Sequence, residues 1–356
     1  MKQIQKGQTV IPFSIEPTLI QGVLEITTRC NVLCDFCPNI HDKKRYHCTD
    51  WSYDDFLLAF PHIAECRRVI FCCAAGEPFL NKDMHRMLKH LKQADIQTGF
   101  FTNGQSLANR DRLRKVLDYT DFIEWSIVSF EPEIQEKWMK GTRSKDLSRN
   151  MSFVTSEYPK LDLGLAILLM SENISTLSAT VSKAIDHGVK RIRLSPVRES
   201  GLLSMEGKTY NYFSKEQVEV LHKEVEKCRQ LPASISFADL MSAIQPPPAS
   251  TTLTVPDKVS NDDCQTRVCT DPWRSINIYA TGLTTLCCYR LDPVGNIFEN
   301  PDNQVFWNNS KYADYRAGIC SGKLKPMCKT CGMRVMGSID QLKESARREG
   351  LVVFQA

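Results

Sequence analysis

The sequence, 356 residues long, contains no long apolar run. Its longest, Leu163 to Met170, falls far short of the roughly twenty residues a membrane-spanning helix needs, so no membrane partner is expected. The opening residues, MKQIQKGQTVIPFSIEP, are polar where a secretory leader would be apolar, which makes a cytoplasmic location the expectation. Runs of like charge are missing too, and the net charge is only +4, so composition offers no case for a nucleic-acid partner. No internal repeat is visible. What remains, 42% hydrophobic and 24% charged, is ordinary for a globular protein with a packed core, at a length suited to one large domain and a smaller one.

Cysteine is abundant. There are 15, and apart from Cys66, Cys72, Cys73 and Cys228 they fall into two groups, Cys30 to Cys48 and Cys264 to Cys331. Without an export signal, clustered thiols point to metal or catalysis rather than to cross-links, and the distribution suggests two metal centres held by opposite ends of the chain. In the stretch RCNVLCDFCP, residues 29–38, the spacing of Cys30, Cys34 and Cys37 is C-x3-C-x2-C. Three thiolates can hold three corners of a four-iron, four-sulfur cube and leave the fourth iron open for a reactive ligand. A structural zinc site would need a fourth ligand, for which His41 and His47 are near in sequence.

From about residue 20 to 200, short apolar segments alternate with helix-patterned ones. The strand candidates are Gly22–Thr27, Val69–Cys73, Thr98–Phe101, Phe122–Val128, Leu163–Leu169 and Arg191–Ser195. Met84, Met87, Leu88 and Leu91 recur at one-face helical spacing. Ile174 to His187 reads as a helix closed by Gly188, and Ser214 to Arg229 as a helix with Ser214 as its cap. Six strand–helix units in succession predict a parallel sheet with helices outside, and place the reactive loops at the C-terminal ends of its strands. Periodicity alone leaves an open sheet and a curled one equally possible. Residues 231–262, rich in Pro, Ser and Thr and containing Pro246 to Pro248, read as a linker.

The cysteine loop resembles the cluster-binding loop of the radical S-adenosylmethionine (radical SAM) superfamily, with Phe36 at the family's aromatic position. That resemblance implies an α/β fold in which a partial (β/α)6 barrel carries the cluster. The amino and carboxylate groups of S-adenosylmethionine would then chelate the open iron. Gly76, Glu77 and Pro78 resemble the family's GEP motif, whose backbone and carboxylate hold the cofactor's amino group; the family more often has two glycines before the glutamate, and here Ala74 and Ala75 precede Gly76, which is kept. Thr102-Asn103-Gly104 resembles its TNG turn, and Ser126 occupies the serine of its S-L-D-A-x-x-P-E run, with Val128 where an aspartate is usual. The cofactor-binding candidates are thus Phe36, Gly76, Glu77, Pro78, Asn103 and Ser126.

A second resemblance lies near the C-terminus. Cys269, Gly282 and Cys287 fit the C-x(9–15)-G-x4-C element of SPASM and twitch auxiliary-cluster domains, on a hairpin with strands Ile276 to Tyr279 and Thr284 to Leu286. Cys328 and Cys331 would complete a four-thiolate set for one auxiliary four-iron cluster, since no cysteine follows Cys331 to serve a second. A zinc ribbon is the alternative for the same four cysteines. Cys264, Cys288 and Cys320 are left over and read by default as buried small hydrophobes, with Cys288 and Cys320, more than Cys264, as the candidates for a thiol that returns hydrogen to a substrate radical.

The implied organisation is an extension over 1–20, a radical SAM core over 21–230, the linker, an auxiliary-cluster domain over 263–335 and a C-terminal helix and tail over 336–356. The implied activity is reductive cleavage of S-adenosylmethionine to a 5′-deoxyadenosyl radical that removes a hydrogen atom from a substrate. An external reductant such as flavodoxin or ferredoxin would supply the electron. With about twenty residues before the first strand, no leader-binding domain is expected, so a small molecule (sugar, aminocyclitol or nucleoside) is the leading substrate, dehydrogenated or epimerised. Peptide maturation is the alternative, and a zinc-binding structural protein the outsider. Metal analysis separates them: about eight irons per chain are expected, falling by about four when Cys30, Cys34 and Cys37 are changed to alanine, whereas zinc alone would refute the cluster assignment.

Overall fold

The structure is a computed structural model that describes residues 13–37, 49–72, 76–197, 213–236, 265–287, 292–299, 306–307, 309–331 and 334–355. His41, His47, Ala74, Ala75, Pro246 to Pro248, Cys264 and Cys288 lie outside them. The strands are β1 Phe13–Ile15, β2 Gln21–Leu24, β3 Leu33–Cys34, β4 Arg68–Phe71, β5 Gln97–Thr102, β6 Phe122–Ile127, β7 Met139–Lys140 and β8 Asp162–Leu169. They continue as β9 Arg191–Pro196, β10 Ser234–Ser236, β11 Gln265–Arg267, β12 Ser275–Ile278, β13 Leu283–Thr285, β14 Pro293–Asn296, β15 Met336–Ser338 and β16 Val353–Gln355.

Six of these, β2, β4, β5, β6, β8 and β9, are the strands the sequence pattern predicts, each within a few residues of the expected bounds, and they form the (β/α)6 partial barrel. Alternation sorts their side chains. Val69, Phe71, Phe100, Ile123, Trp125, Ile127, Leu165 and Ile192 face outward into the main core, against Met87, Leu88 and Leu91 of helix Met84–Gln93 and Leu147, Met151 and Val154 of helix Ser144–Glu157. Residues of the opposite parity, among them Arg68, Glu124, Ser126, Arg191 and Arg193, therefore face the barrel interior.

Helix boundaries follow local chemistry. Helix Lys215–Arg229 starts at a capping box: the Ser214 hydroxyl accepts from Gln217 N–H at 3.2 Å while the Gln217 side chain accepts from Ser214 N–H at 2.8 Å. Gly188 ends the preceding helical stretch at φ +83°, a conformation open to glycine. That stretch begins with a 3-10 turn, Ile174–Thr176, before the α-helix Leu177–Asp186.

Two features depart from the sequence reading. The hairpin of the cysteine-rich module, β12 and β13, does not stand apart: β12 pairs in parallel with β2, Ser275 opposite Gln21 and Ile278 opposite Leu24. Barrel and module thus share one ten-stranded sheet of order β10-β9-β8-β6-β5-β4-β2-β12-β13-β14. On the other edge, residues 234–236, read from composition as the start of a linker, form β10 and pair with β9. A second, smaller core closes the far side. There β1 pairs with β16, and Phe13, Ile15, Trp273, Ile319, Cys320, Leu342 and Ala346 are buried together. No described helix is long and apolar enough to cross a membrane.

Because Ile278 is fully buried where β12 meets β2, Ile278→Ala removes packing between module and barrel at once. It is expected to cost about 2–5 kcal/mol, read as a lower urea midpoint of the cluster-free protein.

Candidate functional site: a cysteine loop over the barrel and a second thiol set beside it

The loop carrying Cys30, Cys34 and Cys37 follows β2 and is held at three points. At its start, the Arg29 carbonyl accepts from Glu77 N–H at 2.7 Å, and the Arg29 guanidinium reaches Asp50 at 2.6 Å and the Leu80 carbonyl at 2.9 Å. In its middle, β3 pairs with β7, Asp35 N–H donates to Trp138 O at 3.1 Å, and Lys140 meets Asp35 at 2.7 Å. At its end, Cys37 N–H turns back to Cys34 O at 2.9 Å. An apolar wall of Val32, Val128, Trp138, Met139, Met170 and Val197 packs against Cys30, Cys34 and Phe36. Val128, which stands where the resembled S-L-D-A-x-x-P-E run has its aspartate, is part of that wall.

The three thiols share one electrostatic environment. Burial pushes Cys34 well above the ordinary thiol range, and the neighbouring sulfurs of Cys37 and Cys30 push it further. Cys30 is raised by burial, while N–H groups of Val32, Asn103 and Asn31 pull it back. Sulfurs crowded together out of water resist ionising unless a cation takes them, and N–H donors aimed at the sulfur are what a cluster thiolate uses. The donor set therefore fits an iron–sulfur cluster. Among the described residues no three His, Cys, Asp or Glu side chains are grouped to hold a single metal ion. Ligand sulfurs of a four-iron cube stand farther apart than the roughly 3.8 Å set by tetrahedral zinc–sulfur bonds.

The GEP and TNG residues form one unit beside the loop. Gly76, at φ +91°, passes so close that a Cβ would lie 2.0 Å from the Thr27 carbonyl oxygen, so only glycine fits. Pro78 is buried at the head of a 3-10 turn, Pro78–Leu80. The Glu77 carboxylate does not face the opening. It accepts from Thr102 Oγ1 at 2.8 Å, Asn103 N–H at 2.8 Å and Phe79 N–H at 3.3 Å. What the motif presents to an ammonium is thus its backbone; the carboxylate ties the two turns together. Asn103 extends the tie, donating to Asn31 Oδ1 at 3.0 Å and lying 3.7 Å from Cys30 Sγ.

Ser126 faces the interior in register with Ala166, and Ala166 with Arg193, so a small side chain separates a hydroxyl from a guanidinium. Arg193 bonds Ser195 Oγ at 2.5 Å and pairs with the buried Glu124. Neither Arg193 nor Glu124 carries a motif, and only strand alternation marks them as inward. Asn81 and Gln135 also escaped the sequence reading. Asn81 donates to Ile26 O at 2.7 Å and Trp51 O at 2.8 Å, and Gln135 Oε1 accepts from Val128 N–H at 2.8 Å and Ser129 N–H at 3.1 Å. A surface cleft of about 540 Å³ opens between outer helices around Tyr53, Arg86, Lys89 and Lys115 and includes none of the motif residues.

Cys269, Cys287, Cys328 and Cys331 line a single narrow cavity, walled by Pro272, Leu286, Ile319 and Met327. Cys269 is raised well above the usual range by burial and by Asp271, with Arg334 lowering it and Cys287 raising it. Four thiols closing on an apolar cavity suit a fully ligated cluster. Cys320, by contrast, is buried in the second core, its pKa pushed up to about 12 by burial alone. That placement suits a small packed hydrophobe and not a hydrogen donor to substrate.

Burial pushes the Glu77 carboxyl up to about 7 from its ordinary 4.5, against the pull of its three donors. Between those values the folded chain holds a proton that the unfolded chain has released, so stability falls as pH rises through that window and levels off above it. Glu77→Gln removes this dependence. From pH 5 to pH 8 the cluster-free wild type should lose about 2–3 kcal/mol relative to E77Q, measured by urea denaturation.

Comparison with known proteins agrees with this geometry. Residues 24–182 match the radical SAM superfamily, and residues 269–332 match the SPASM iron–sulfur cluster-binding domain. The chain is 24% identical over 191 residues to a PqqA peptide cyclase of Ruegeria pomeroyi, covering 52% of this chain and 49% of the cyclase. It thus spans about half the length of that curated relative. In fold it is similar to Streptococcus suis SuiB bound to precursor peptide SuiA, with a TM-score of 0.61 at 14% identity, over 85% of this chain and 67% of that one. It is also similar to anSMEcpe with bound AdoMet and Cp18Cys peptide, with a TM-score of 0.61 at 15% identity, over 93% and 97%. The cysteine loop accordingly falls in the radical SAM domain and the second thiol set in the SPASM domain, so this chain is a radical SAM protein with a C-terminal SPASM domain.

Proposed function

We propose that the substrate is a peptide, and that the enzyme removes hydrogen from one of its residues to oxidise or cross-link it. This replaces the small-molecule expectation. That expectation rested on how little chain precedes the first strand, and the position of a first residue says nothing about what enters the barrel. The observation that carries the peptide reading is the likeness to a PqqA peptide cyclase across half the chain. The fold neighbours bound to SuiA and to Cp18Cys peptide support it.

The geometry supports it as well. Among the described residues the sheet ends at β10 on one side and β14 on the other, and these edges do not pair with each other. An unpaired sheet edge can take a chain in extended form, with one residue directed inward. Bound S-adenosylmethionine supplies a 5′-deoxyadenosyl radical. This chain's part is to place the target carbon and exclude water. Val128, Met170 and Val197 form the dry wall beside the cysteine loop, and Ser126 and Arg193 present polar groups below it. A two-hydrogen oxidation needs one hydrogen atom to go to that radical and then a proton and an electron to leave the substrate; a cluster held by Cys269, Cys287, Cys328 and Cys331 would supply the electron acceptor. Epimerisation would need a thiol facing the substrate. Of the two thiols expected for that role, Cys320 is buried in the second core and Cys288 lies outside the described residues.

The test is anaerobic incubation of reconstituted, reduced enzyme with S-adenosylmethionine and peptides encoded beside its gene, with sugars, aminocyclitols and nucleosides in parallel. The expected result is 5′-deoxyadenosine together with a peptide lighter by two hydrogens. Turnover of a small molecule with every peptide unchanged would overturn the reading.

A further inference from the structure

The four thiols of the auxiliary site come from three separate stretches of chain. Cys269 follows β11, Cys287 follows β13, and Cys328 and Cys331 belong to the segment around the one-turn helix Pro326–Lys329. β11 and β13 lie in different sheets, and so short a helix cannot hold itself in place. The tie is a side chain. Arg267, last residue of β11 and two positions before Cys269, sends its guanidinium into the facing segment. Its Nε donates to Cys328 O at 2.7 Å, its Nη2 to Lys329 O at 2.6 Å and its Nη1 to Arg334 O at 2.7 Å. A return tie runs the other way: Arg334 Nη2 meets both carboxylate oxygens of Asp271, two positions after Cys269, at 3.0 and 3.1 Å.

Arg267, Arg334 and Asp271 all line the cavity that the four cysteines share. With Arg334 paired to Asp271, Arg267 is left as the cation there without a carboxylate partner in that lining. Three carbonyls converging on one planar fork is a geometry that a lysine cannot reproduce, because its ammonium is a single point at the end of a flexible stem. Hydrogen bonds from a charged donor are also about twice as strong as neutral ones.

We propose that Arg267 is the positioning residue of the auxiliary centre: it closes the segment carrying Cys328 and Cys331 onto the strand end carrying Cys269, and its positive charge raises the reduction potential of the cluster those thiolates hold. The proposal rests on the assignment of Cys269, Cys287, Cys328 and Cys331 as the auxiliary ligands.

The experiment uses the full chain with Cys30, Cys34 and Cys37 changed to alanine, so that only the auxiliary centre is observed. Iron per chain, the electron paramagnetic resonance spectrum and a redox titration are compared for this parent, Arg267→Lys, Arg267→Gln and Cys328→Ala. Cys328→Ala should lose the parent's spectrum; if it does not, the ligand assignment fails and the proposal with it. Arg267→Lys should lose most of the iron and broaden the remaining signal, although the charge is kept. Arg267→Gln should lose iron likewise, and its residual centre should titrate at a lower potential than that of Arg267→Lys. Unchanged iron, spectrum and potential in Arg267→Gln would overturn the proposal. Returning Cys30, Cys34 and Cys37 to Arg267→Lys separates positioning from misfolding: the expected loss is about four irons of about eight, and loss of both clusters together would overturn the proposal.

Discussion

Everything in this molecule is referred to β2. It is hydrogen-bonded on one side to β4 and on the other to β12, so the strand that delivers the cysteine loop is also the seam between barrel and auxiliary module. A strand bonded on both edges, its outward side chain Leu24 fully buried, cannot shift without breaking two ladders. Trp51 adds a side-chain bond across the same seam, its Nε1 donating to the Ala280 carbonyl at 2.9 Å, and Ala280 N–H donates to the buried Glu25 at 3.1 Å. The distance between the two thiol sets is therefore set by the sheet and not by a linker.

Around this frame the protein accumulates groups that are uncomfortable without a ligand. Thiols at Cys30, Cys34 and Cys269 are buried enough to resist ionisation, and Glu77 is held out of water by three donors. Such groups cost stability unless something of opposite charge joins them, which is why metal binding and folding are coupled in sites of this kind. Glu77 shows how a motif residue can serve indirectly: its carboxylate joins Thr102 and Asn103 to Phe79, and through Asn103 it steadies Cys30.

Much of the site was legible in one dimension. The cysteine spacings, GEP, TNG and the C-terminal C-x2-C pair are local, because each is a short segment whose backbone must adopt one shape; Gly76 against Thr27 is the clearest case. The barrel strands were legible because their outward positions are consistently apolar. The residues that escaped were those whose partners are distant in sequence. Arg267 reads as one more charged residue until its three acceptors, all more than sixty positions away, are seen together. Glu124 and Arg193 acquire meaning only as neighbours across the barrel interior.

The amino-acid sequence by itself determined the kind of chemistry, because cluster ligation depends on residue type and spacing along a loop, and it determined the alternating strand–helix plan, because burial periodicity is written residue by residue. Only the tertiary structure decided that the cysteine-rich hairpin completes the barrel's own sheet, that Cys320 belongs to a core, and that the Glu77 carboxylate turns inward. Strand partners and side-chain directions are settled by which surfaces meet when distant segments pack, and no single stretch of chain contains that information.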